Sequence, residues 1–207
     1  MSTSVIFEPT IKHLKEIEIW LSEEYKITGS GFYSNWNIIK KSFIENRIVI
    51  ITENDISIGF VIYEIYNLIS YINILEVKPS HRNKGIGKKI VIELLNYLKN
   101  QGCLVSSLFC MPESSEGFWK SIGFIDTPDL RFNNNKKYLF KSIIDTLKHS
   151  KKNSNDGIIE LWNLEPYKTK DTKSKWQWII KYKNNSSILE KPIIFPADSD
   201  WQIRWKK

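Results

Sequence analysis

Within residues 47–98 the hydrophobic pattern changes once, from the two-residue period of strands to the period of a helix, and no other feature constrains the fold as strongly. Three segments rich in Ile, Val and Tyr, at 47–52, 56–66 and 68–77, are separated by short polar turns, which predicts an antiparallel meander. After Pro79, apolar residues recur at helical spacing and predict a helix that packs on this meander: Ile86, Ile90, Val91, Leu94, Leu95 and Leu98.

Strand and helix patterns alternate in the rest of residues 1–144. A strand at 5–7 precedes a helix that is capped by Thr10 and has four apolar residues at helical spacing: Ile11, Leu14, Ile17 and Leu21. The further elements follow in this order: a helix capped by Ser34, a strand at 104–110, a helix at 113–122, and strands at 124–126 and 137–143. Such alternation around one central sheet predicts a mixed α+β fold and excludes a helical bundle or a β-sandwich.

The end of the chain follows a different pattern. Residues 145–157 contain few apolar residues and predict a linker between a domain at 1–144 and an extension at 158–207. The extension predicts three strands that carry tryptophans on their faces: Trp162, Trp176, Trp178, Trp201 and Trp205. Because an isolated three-stranded sheet is marginally stable, we expect its aromatic side to pack on the preceding domain or on a second subunit of a homodimer.

Composition excludes several classes of protein. Of the 207 residues, 42% are hydrophobic and 26% are charged, as in soluble globular proteins, which excludes wholesale disorder. No apolar run approaches the roughly 18 residues of a membrane span. The first ten residues lack the layout of a signal peptide, so we expect no membrane partner and a cytoplasmic location. Cys103 and Cys110 are the only cysteines, and we expect reduced thiols rather than a disulfide or a metal site.

Positive charge is concentrated near the end of the chain. The net charge is +7, and residues 145–207 contain 13 Lys and Arg against 8 Asp and Glu. A basic end rich in tryptophan suits a nucleic-acid partner, because bases stack on aromatic rings. Solvated lysines on a small sheet explain the same charge, and this interpretation stays open as well.

A turn with two glycines, within residues 75–89, joins the last strand of the meander to the following helix. Gly85 and Gly87 allow the backbone to turn and to approach a ligand closely, and the first amides of the helix point outward with the positive end of its dipole. Four cations surround the turn: Arg82, Lys84, Lys88 and Lys89. The turn therefore suits a pyrophosphate, although a solvated basic turn would use the same residues. Neither a P-loop nor a dinucleotide fingerprint has this spacing.

Two motifs carry the strongest information about function. Residues 77–87 contain Val-x-Pro-x-x-Arg-x-x-Gly-Ile-Gly, and residues 118–124 contain Phe-Trp-Lys-Ser-Ile-Gly-Phe. The first resembles the acetyl-CoA signature of the GNAT superfamily of N-acetyltransferases, Arg/Gln-x-x-Gly-x-Gly/Ala after a strand. The second resembles the superfamily's segment of an aromatic residue, Tyr, three variable residues, Gly and Phe. Together with the order of elements, the resemblance covers about residues 3–144.

The resemblance implies a GNAT-like fold, in which helices flank a mostly antiparallel sheet, and acetyl-CoA as cosubstrate. The strand before the turn would offer backbone hydrogen bonds to pantetheine, and the turn would hold the pyrophosphate. The implied cofactor-binding residues are Leu75, Val77, Arg82, Asn83, Lys84, Gly85, Ile86, Gly87 and Lys88. An amine acceptor would attack the thioester directly, and a backbone amide near Val77 would stabilise the oxyanion.

The residues that transfer protons in many members of the family differ here. The tyrosine of the second motif is Trp119, whose indole N–H can hold the sulfur or the pantetheine but is no proton source. Carboxylates that serve as base in some members correspond to Ile72 and Ser107. We therefore assign the catalytic roles to Trp119 and to Glu76, which would act through a water, with deprotonation by solvent as the alternative. Other candidates nearby are Tyr71, Asn73, His81 and Cys110.

The sequence thus predicts an enzyme that moves an acetyl group from acetyl-CoA to a primary amine of a small molecule, a peptide or a protein. Two alternatives stay open. One is acetylation of aminoacyl-tRNA with the help of the basic, Trp-rich end. The other is a regulatory module that binds coenzyme A without catalysis.

Overall fold

The chain divides into two compact units, residues 1–143 and 144–207, each with its own sheet. The computed structural model describes residues 3–66, 68–127, 137–143, 157–162, 166–173, 176–183, 186–189 and 202–206. The predicted linker at 145–157 lies outside the described residues except for Gly157. The packing of residues 158–207 on the core or on a second subunit stays a prediction.

The first unit follows the predicted order of elements. Its helices and strands are β1 (Thr3–Ile6), α1 (Ile11–Thr28), α2 (Trp36–Ile44), β2 (Ile48–Glu53), β3 (Ile56–Tyr66), β4 (Ile69–Val77), α3 (Ile86–Asn100), β5 (Val105–Phe109), α4 (Glu116–Ser121), β6 (Ile125–Asp126) and β7 (Tyr138–Ser142). The strands form one sheet in the order β1-β2-β3-β4-β5-β7-β6, in which the β4–β5 pair is parallel and the other pairs are antiparallel. The predicted α+β fold, with a mostly antiparallel sheet flanked by helices, is confirmed.

Helices cover both faces of this sheet, which explains why β2 reads as a continuous apolar run. Ile48 and Ile50 pack with residues of α1 and α2, whereas Val49 and Ile51 pack with α3 on the opposite face. All four side chains are fully buried. The predicted stripe of α3 is buried in full: Ile86, Ile90, Val91, Leu94, Leu95 and Leu98.

Two details of the predicted helices are wrong. Ile11 is 58% exposed, because the buried face of α1 begins one turn later, at Leu14. Ser34 does not cap α2, because Phe32–Asn35 form a 3₁₀ turn and the helix begins at Trp36. The cap of α1 is as expected: the N–H of Thr10 donates to Nδ1 of His13 at 3.0 Å, three residues into the helix.

The pairing of β4 changes along its length, and this change positions the site. On one side β4 pairs with β3 up to Val77. On the other side its pairing with β5 covers only residues 69–72. Among the described residues, the β5 side of β4 therefore has no strand partner from residue 73 onward, and we call this side the open edge of β4.

The second unit contains four strands within its described residues: β8 (Gly157–Trp162), β9 (Trp176–Lys183), β10 (Ser186–Leu189) and β11 (Gln202–Lys206). They pair in the order β10-β9-β8-β11. The three predicted strands correspond to β8, β9 and β11, and the sequence interpretation missed β10, which begins with two serines and is too short to show an apolar period. Trp162 is buried, and its indole N–H donates to the carbonyl of Thr172 at 3.2 Å.

The sequence analysis also made predictions about a nucleic-acid partner and a membrane partner. The side chains of Trp176, Trp178, Trp201 and Trp205 lie outside the part of the chain whose side chains are described, so the nucleic-acid hypothesis stays a prediction. No helix in the described ranges combines the length and the apolar composition that a bilayer crossing requires.

A partly buried contact between a carboxylate of α1 and a serine of β3 leads to a prediction for stability. Glu16 accepts hydrogen bonds from the N–H and the hydroxyl of Ser57, both at 2.8 Å, and Ser57 is fully buried. Burial alone would raise the pKa of Glu16, but these bonds and the charge of Lys12 outweigh it and lower the pKa. We expect Glu16→Ala to reduce the free energy of unfolding by about 1–3 kcal/mol, because Ser57 loses its acceptor.

The contact between Glu16 and Ser57 also predicts that the stability of the protein depends on pH. Because the folded-state pKa of Glu16 is depressed, its stabilising effect is present above the unfolded pKa of about 4.3 and is lost as the pH falls through the folded value. Urea denaturation at pH 7 and at decreasing pH should show the difference between the native protein and Glu16→Gln shrinking in acid. Glu23→Ala, on the exposed side of α1, is the control. A constant difference across the acid range would contradict this assignment.

Candidate active site

The open edge of β4 borders a cavity of about 530 Å³ that reaches the beginning of α3 and the aromatic residues of α4. Ten of the residues predicted from the sequence line it: Leu75, Glu76, Val77, Arg82, Asn83, Gly85, Ile86, Gly87, Lys88 and Trp119. The structure thus brings the strand, the glycine turn and the second motif together around one space.

Lys84 is the predicted residue that does not line the cavity. Its Nζ donates to the carbonyl of Ser80 at 2.9 Å. Lys89 is also directed elsewhere, since its Nζ donates to the carbonyl and the hydroxyl of Thr3. Lys88 is exposed and lies on the wall of the cavity. Of these three lysines, Lys88 is therefore the one placed to face an anion in the cavity.

The glycine turn leaves room for a ligand at the N-terminus of α3. Gly85 precedes the helix with a φ of 77°, a conformation that favours glycine, and a Cβ placed there would meet no atom within 4 Å. The first amides of a helix have no intrahelical acceptor, so those that follow Gly85 are available to an anion.

Gly87 has another function: a Cβ there would lie 3.3 Å from the ring of Phe118. It allows α4 to pack closely against α3.

Alternation along β4 directs the polar backbone groups of Leu75 and Val77 toward the cavity side. The N–H of Lys78 donates to the carbonyl of Ile58 at 2.8 Å, so this residue faces β3. N–H and C=O groups of successive strand residues point in opposite directions, so those of Val77 and Leu75 face the edge that β5 leaves open.

Arg82 connects this edge to two carboxylates. Its Nε donates to the carbonyl of Val77 at 2.9 Å. Its Nη2 donates to Glu76 at 2.8 Å and to Glu24 of α1 at 2.7 Å. Burial acts against the charged guanidinium, but the bonds and charges of both carboxylates outweigh it and raise the pKa of Arg82. The sequence assigned Arg82 to a pyrophosphate, whereas the structure directs its guanidinium toward Glu24 and Glu76.

Glu76 is a buried carboxylate with two partners. Its side chain is 13% exposed, and besides Arg82 it binds the N–H of Val77, which donates to Oε1 at 2.9 Å. Burial raises the pKa of Glu76, and the Val77 amide and Arg82 only partly offset this effect. A carboxyl group with a raised pKa is better suited to exchange protons near neutral pH than an exposed glutamate.

Glu24 is the functional candidate that the sequence interpretation missed. Its side chain is 10% exposed, and its Oε2 is buried without a hydrogen-bond partner in the described parts of the chain. Gly31 packs against this carboxylate. A signal existed in the sequence, because Glu24 continues the apolar stripe of Leu14, Ile17 and Leu21 at helical spacing. An acidic residue on a buried helical face needs a partner.

Trp119 forms part of an aromatic wall. It is 7% exposed and packs edge-to-face against Phe118 and Phe124, with ring centroids 5.0 and 5.4 Å apart. Neither of the two positions that the resemblance relates to a base carboxylate carries an ionisable group: Ile72 is buried on the wall of the cavity, and the hydroxyl of Ser107 donates to the carbonyl of Leu139 at 3.2 Å.

The other candidates named from the sequence lie in different surroundings. Asn73 and His81 both line the cavity. The thiol of Cys110 is buried beside the hydroxyl of Ser115 at 3.4 Å, and both cysteines are free thiols. Tyr71 packs against Tyr66, and Nε2 of His81 lies 3.2 Å from Glu53.

Phe118 and Ser121 of the second motif also line the cavity. Further lining residues come from outside the two motifs: Phe32, Ile72, Ile74, Leu108, Phe109, Met111, Pro112 and Ser115. Of these, Phe109 and Met111 are 40% and 66% exposed. Their sequence carries no signal of the cavity, because they line it only once β5 lies beside β4.

Comparison with known families shows which family the chain belongs to. The model of the family described as acetyltransferase (GNAT) family matches residues 12–124, which is more than half of the chain and includes both motifs. The chain belongs to the GNAT acetyltransferase family. Acetyl-CoA is the cosubstrate of this family, so the acetyltransferase and the cosubstrate predicted from the sequence are confirmed. No curated protein sequence matches the chain.

Solved structures show the same fold. PaiA N-acetyltransferase from Thermoplasma acidophilum in complex with coenzyme A has 22% identity and a TM-score of 0.55, over 69% of this chain and 99% of that chain. A GNAT acetyltransferase from Bacillus cereus has 18% identity and a TM-score of 0.55, over 70% and 100%. An aminoglycoside 6'-N-acetyltransferase complexed with coenzyme A has 14% identity and a TM-score of 0.56, over 72% and 100%. At these identities the likeness shows the GNAT fold alone.

The aromatic wall of this GNAT acetyltransferase leads to a prediction for stability. We expect Trp119→Ala to reduce the free energy of unfolding by about 3–5 kcal/mol, because it removes a buried ring from between two others. Trp119→Phe keeps an apolar ring at this position, so we expect a clearly smaller reduction in the free energy of unfolding. Guanidinium denaturation followed by circular dichroism measures both. Equal losses for the two variants would contradict a packing role for Trp119.

Proposed function

We propose that the protein transfers the acetyl group of acetyl-CoA to a primary amine of a small molecule, a peptide or a protein. The observation that carries this proposal is the meeting of three features at one cavity: the open edge of β4, the N-terminus of α3 and the aromatic wall of α4. Acetyl-CoA supplies an activated acetyl thioester at one end of a long, amide-containing arm. Its diphosphate is at the other end of that arm.

The glycine turn would hold the diphosphate. The amides that follow Gly85 donate hydrogen bonds, the dipole of α3 favours negative charge, and Lys88 adds a cation beside them. The open space at Gly85 is what a close approach of phosphate to backbone requires. The coenzyme A complexes of the Thermoplasma acidophilum protein and of the aminoglycoside acetyltransferase support this proposal.

The edge of β4 would hold the amide-containing arm. Leu75 and Val77 present donors and acceptors that β5 does not use, and an extended chain with amide groups pairs naturally with such an edge. We assign pairing with the arm to the polar backbone groups of Val77 and stabilisation of the oxyanion to the N–H of Leu75. This group is preorganised by its position in a strand that β3 holds on the other side.

Proton transfer requires little help from side chains. The acceptor amine must lose a proton before it attacks, and Glu76 is the buried carboxylate on the wall that can receive it directly or through a water. Trp119 does not ionise, so its contribution is to shape the cavity and to exclude water. Much of the rate enhancement would then come from holding the two substrates together.

A binding measurement tests whether the protein holds acetyl-CoA at the glycine turn. Titration calorimetry with acetyl-CoA should show one site with a micromolar Kd. Gly85→Glu should weaken binding about a hundredfold, because it places a side chain and a negative charge where the diphosphate lies. Gly102→Glu is the matched control, since Gly102 has a φ of 84° and equally open surroundings away from the cavity. No binding, or equal effects of both variants, would refute the assignment.

Release of the coenzyme A thiol tests whether the protein transfers the acetyl group to a primary amine. With a panel of primary amines, the rate of thiol release at subsaturating amine should rise by up to about tenfold per pH unit below the amine pKa of about 10, since only the neutral amine attacks. Mass spectrometry identifies the acetylated amine. Absence of thiol release with every amine would favour the regulatory module that binds coenzyme A without catalysis.

A further inference from the structure

Both polar backbone groups of Val77 are occupied by the protein's own side chains. The N–H donates to Oε1 of Glu76 at 2.9 Å, and the carbonyl accepts from Nε of Arg82 at 2.9 Å. Arg82 and Glu76 also bind each other at 2.8 Å, so the two side chains form a closed ring of hydrogen bonds with the backbone of Val77. We call this ring the Val77 latch.

The latch covers groups that the arm of the cosubstrate would need. In the proposed function, which this inference deepens, the amide groups of the arm pair with the open edge of β4. Val77 presents an amide donor and a carbonyl acceptor on that edge, and Glu76 and Arg82 already satisfy both in the way that a bound amide would. An arm that binds here therefore competes with two charged side chains.

Glu24 is a second carboxylate that can bind the guanidinium of Arg82 after this group has left Val77. Nη2 of Arg82 lies 2.7 Å from Oε1 of Glu24, and the Glu24 carboxylate is held on α1, outside the edge of β4. The Oε2 of Glu24 is buried without a partner in the described ranges. When Arg82 leaves the carbonyl of Val77, Glu24 can take more of its hydrogen bonds, which keeps the cation paired throughout.

We propose that the Val77 latch is displaced by acetyl-CoA, and that Glu24 is a positioning residue that holds Arg82 ready for this displacement. Binding of the cosubstrate breaks the bonds of Glu76 and Arg82 to Val77. It thereby frees the Glu76 carboxylate on the wall of the cavity, next to the position of the thioester. The carboxylate then becomes available to an acceptor amine only after the cosubstrate has bound.

Two substitutions with opposite expected effects test the latch. Glu76→Ala removes the competitor for the Val77 N–H, while Arg82 keeps Glu24 as its partner, so coenzyme A should bind about tenfold more tightly in titration calorimetry. Glu24→Ala leaves Arg82 with Glu76 alone and strengthens the latch, so coenzyme A should bind about threefold to tenfold more weakly. General damage to the fold would weaken binding in both variants.

The matched control is Glu64→Ala, which removes a partly buried carboxylate from the far end of β3, where it pairs with Arg47. Its Kd for coenzyme A should stay within about twofold of the native value. Unchanged or weaker binding by Glu76→Ala, with the native protein binding normally, would overturn the latch and leave the proposed function intact. Failure of the native protein to bind coenzyme A would overturn both.

Discussion

β4 keeps one partner along its whole length and loses the other after residue 72, and the candidate site exists because of this difference. A strand edge inside a protein leaves N–H and C=O groups that must be satisfied by something. Here the groups of Val77 are satisfied by two side chains, and the space beside them is a cavity rather than packed core. The same strand edge that would be a liability in a packed core thus borders the candidate site.

The remaining structure holds this edge in place. β2 and β3 are buried on both faces, so β4 is held on its β3 side by a strand that cannot shift without disturbing two apolar layers. On one face α3 packs with its full apolar stripe, which positions the glycine turn and its amides opposite the edge. On the other face α1 brings Glu24 within 2.7 Å of Arg82. Each layer of the fold thus contributes one component of the site.

Charge in the site is arranged around one cation and two carboxylates. Arg82 is flanked by Glu24 and Glu76, and the two carboxylates are nearly buried, at 10% and 13% exposure. Buried charges are stable only when they are paired, so the three side chains depend on one another. A ligand that changes the partners of one therefore changes the hydrogen bonding of all three.

Sequence patterns alone determined the order of helices and strands and the family of this protein. The apolar stripe of α3, the meander and the alternation of helices and strands were readable because burial imposes a period on the chain. The two motifs identified the family, because the turn before α3 requires glycine at fixed positions. Only the tertiary structure shows that Arg82 binds Glu24 and Glu76 and that the N–H of Val77 donates to Glu76. The helical stripe of α1 extends to Glu24 but does not reveal its partner. Glu24 and Arg82 are 58 residues apart, and no local pattern encodes a contact that exists only when a helix and a strand end are packed side by side.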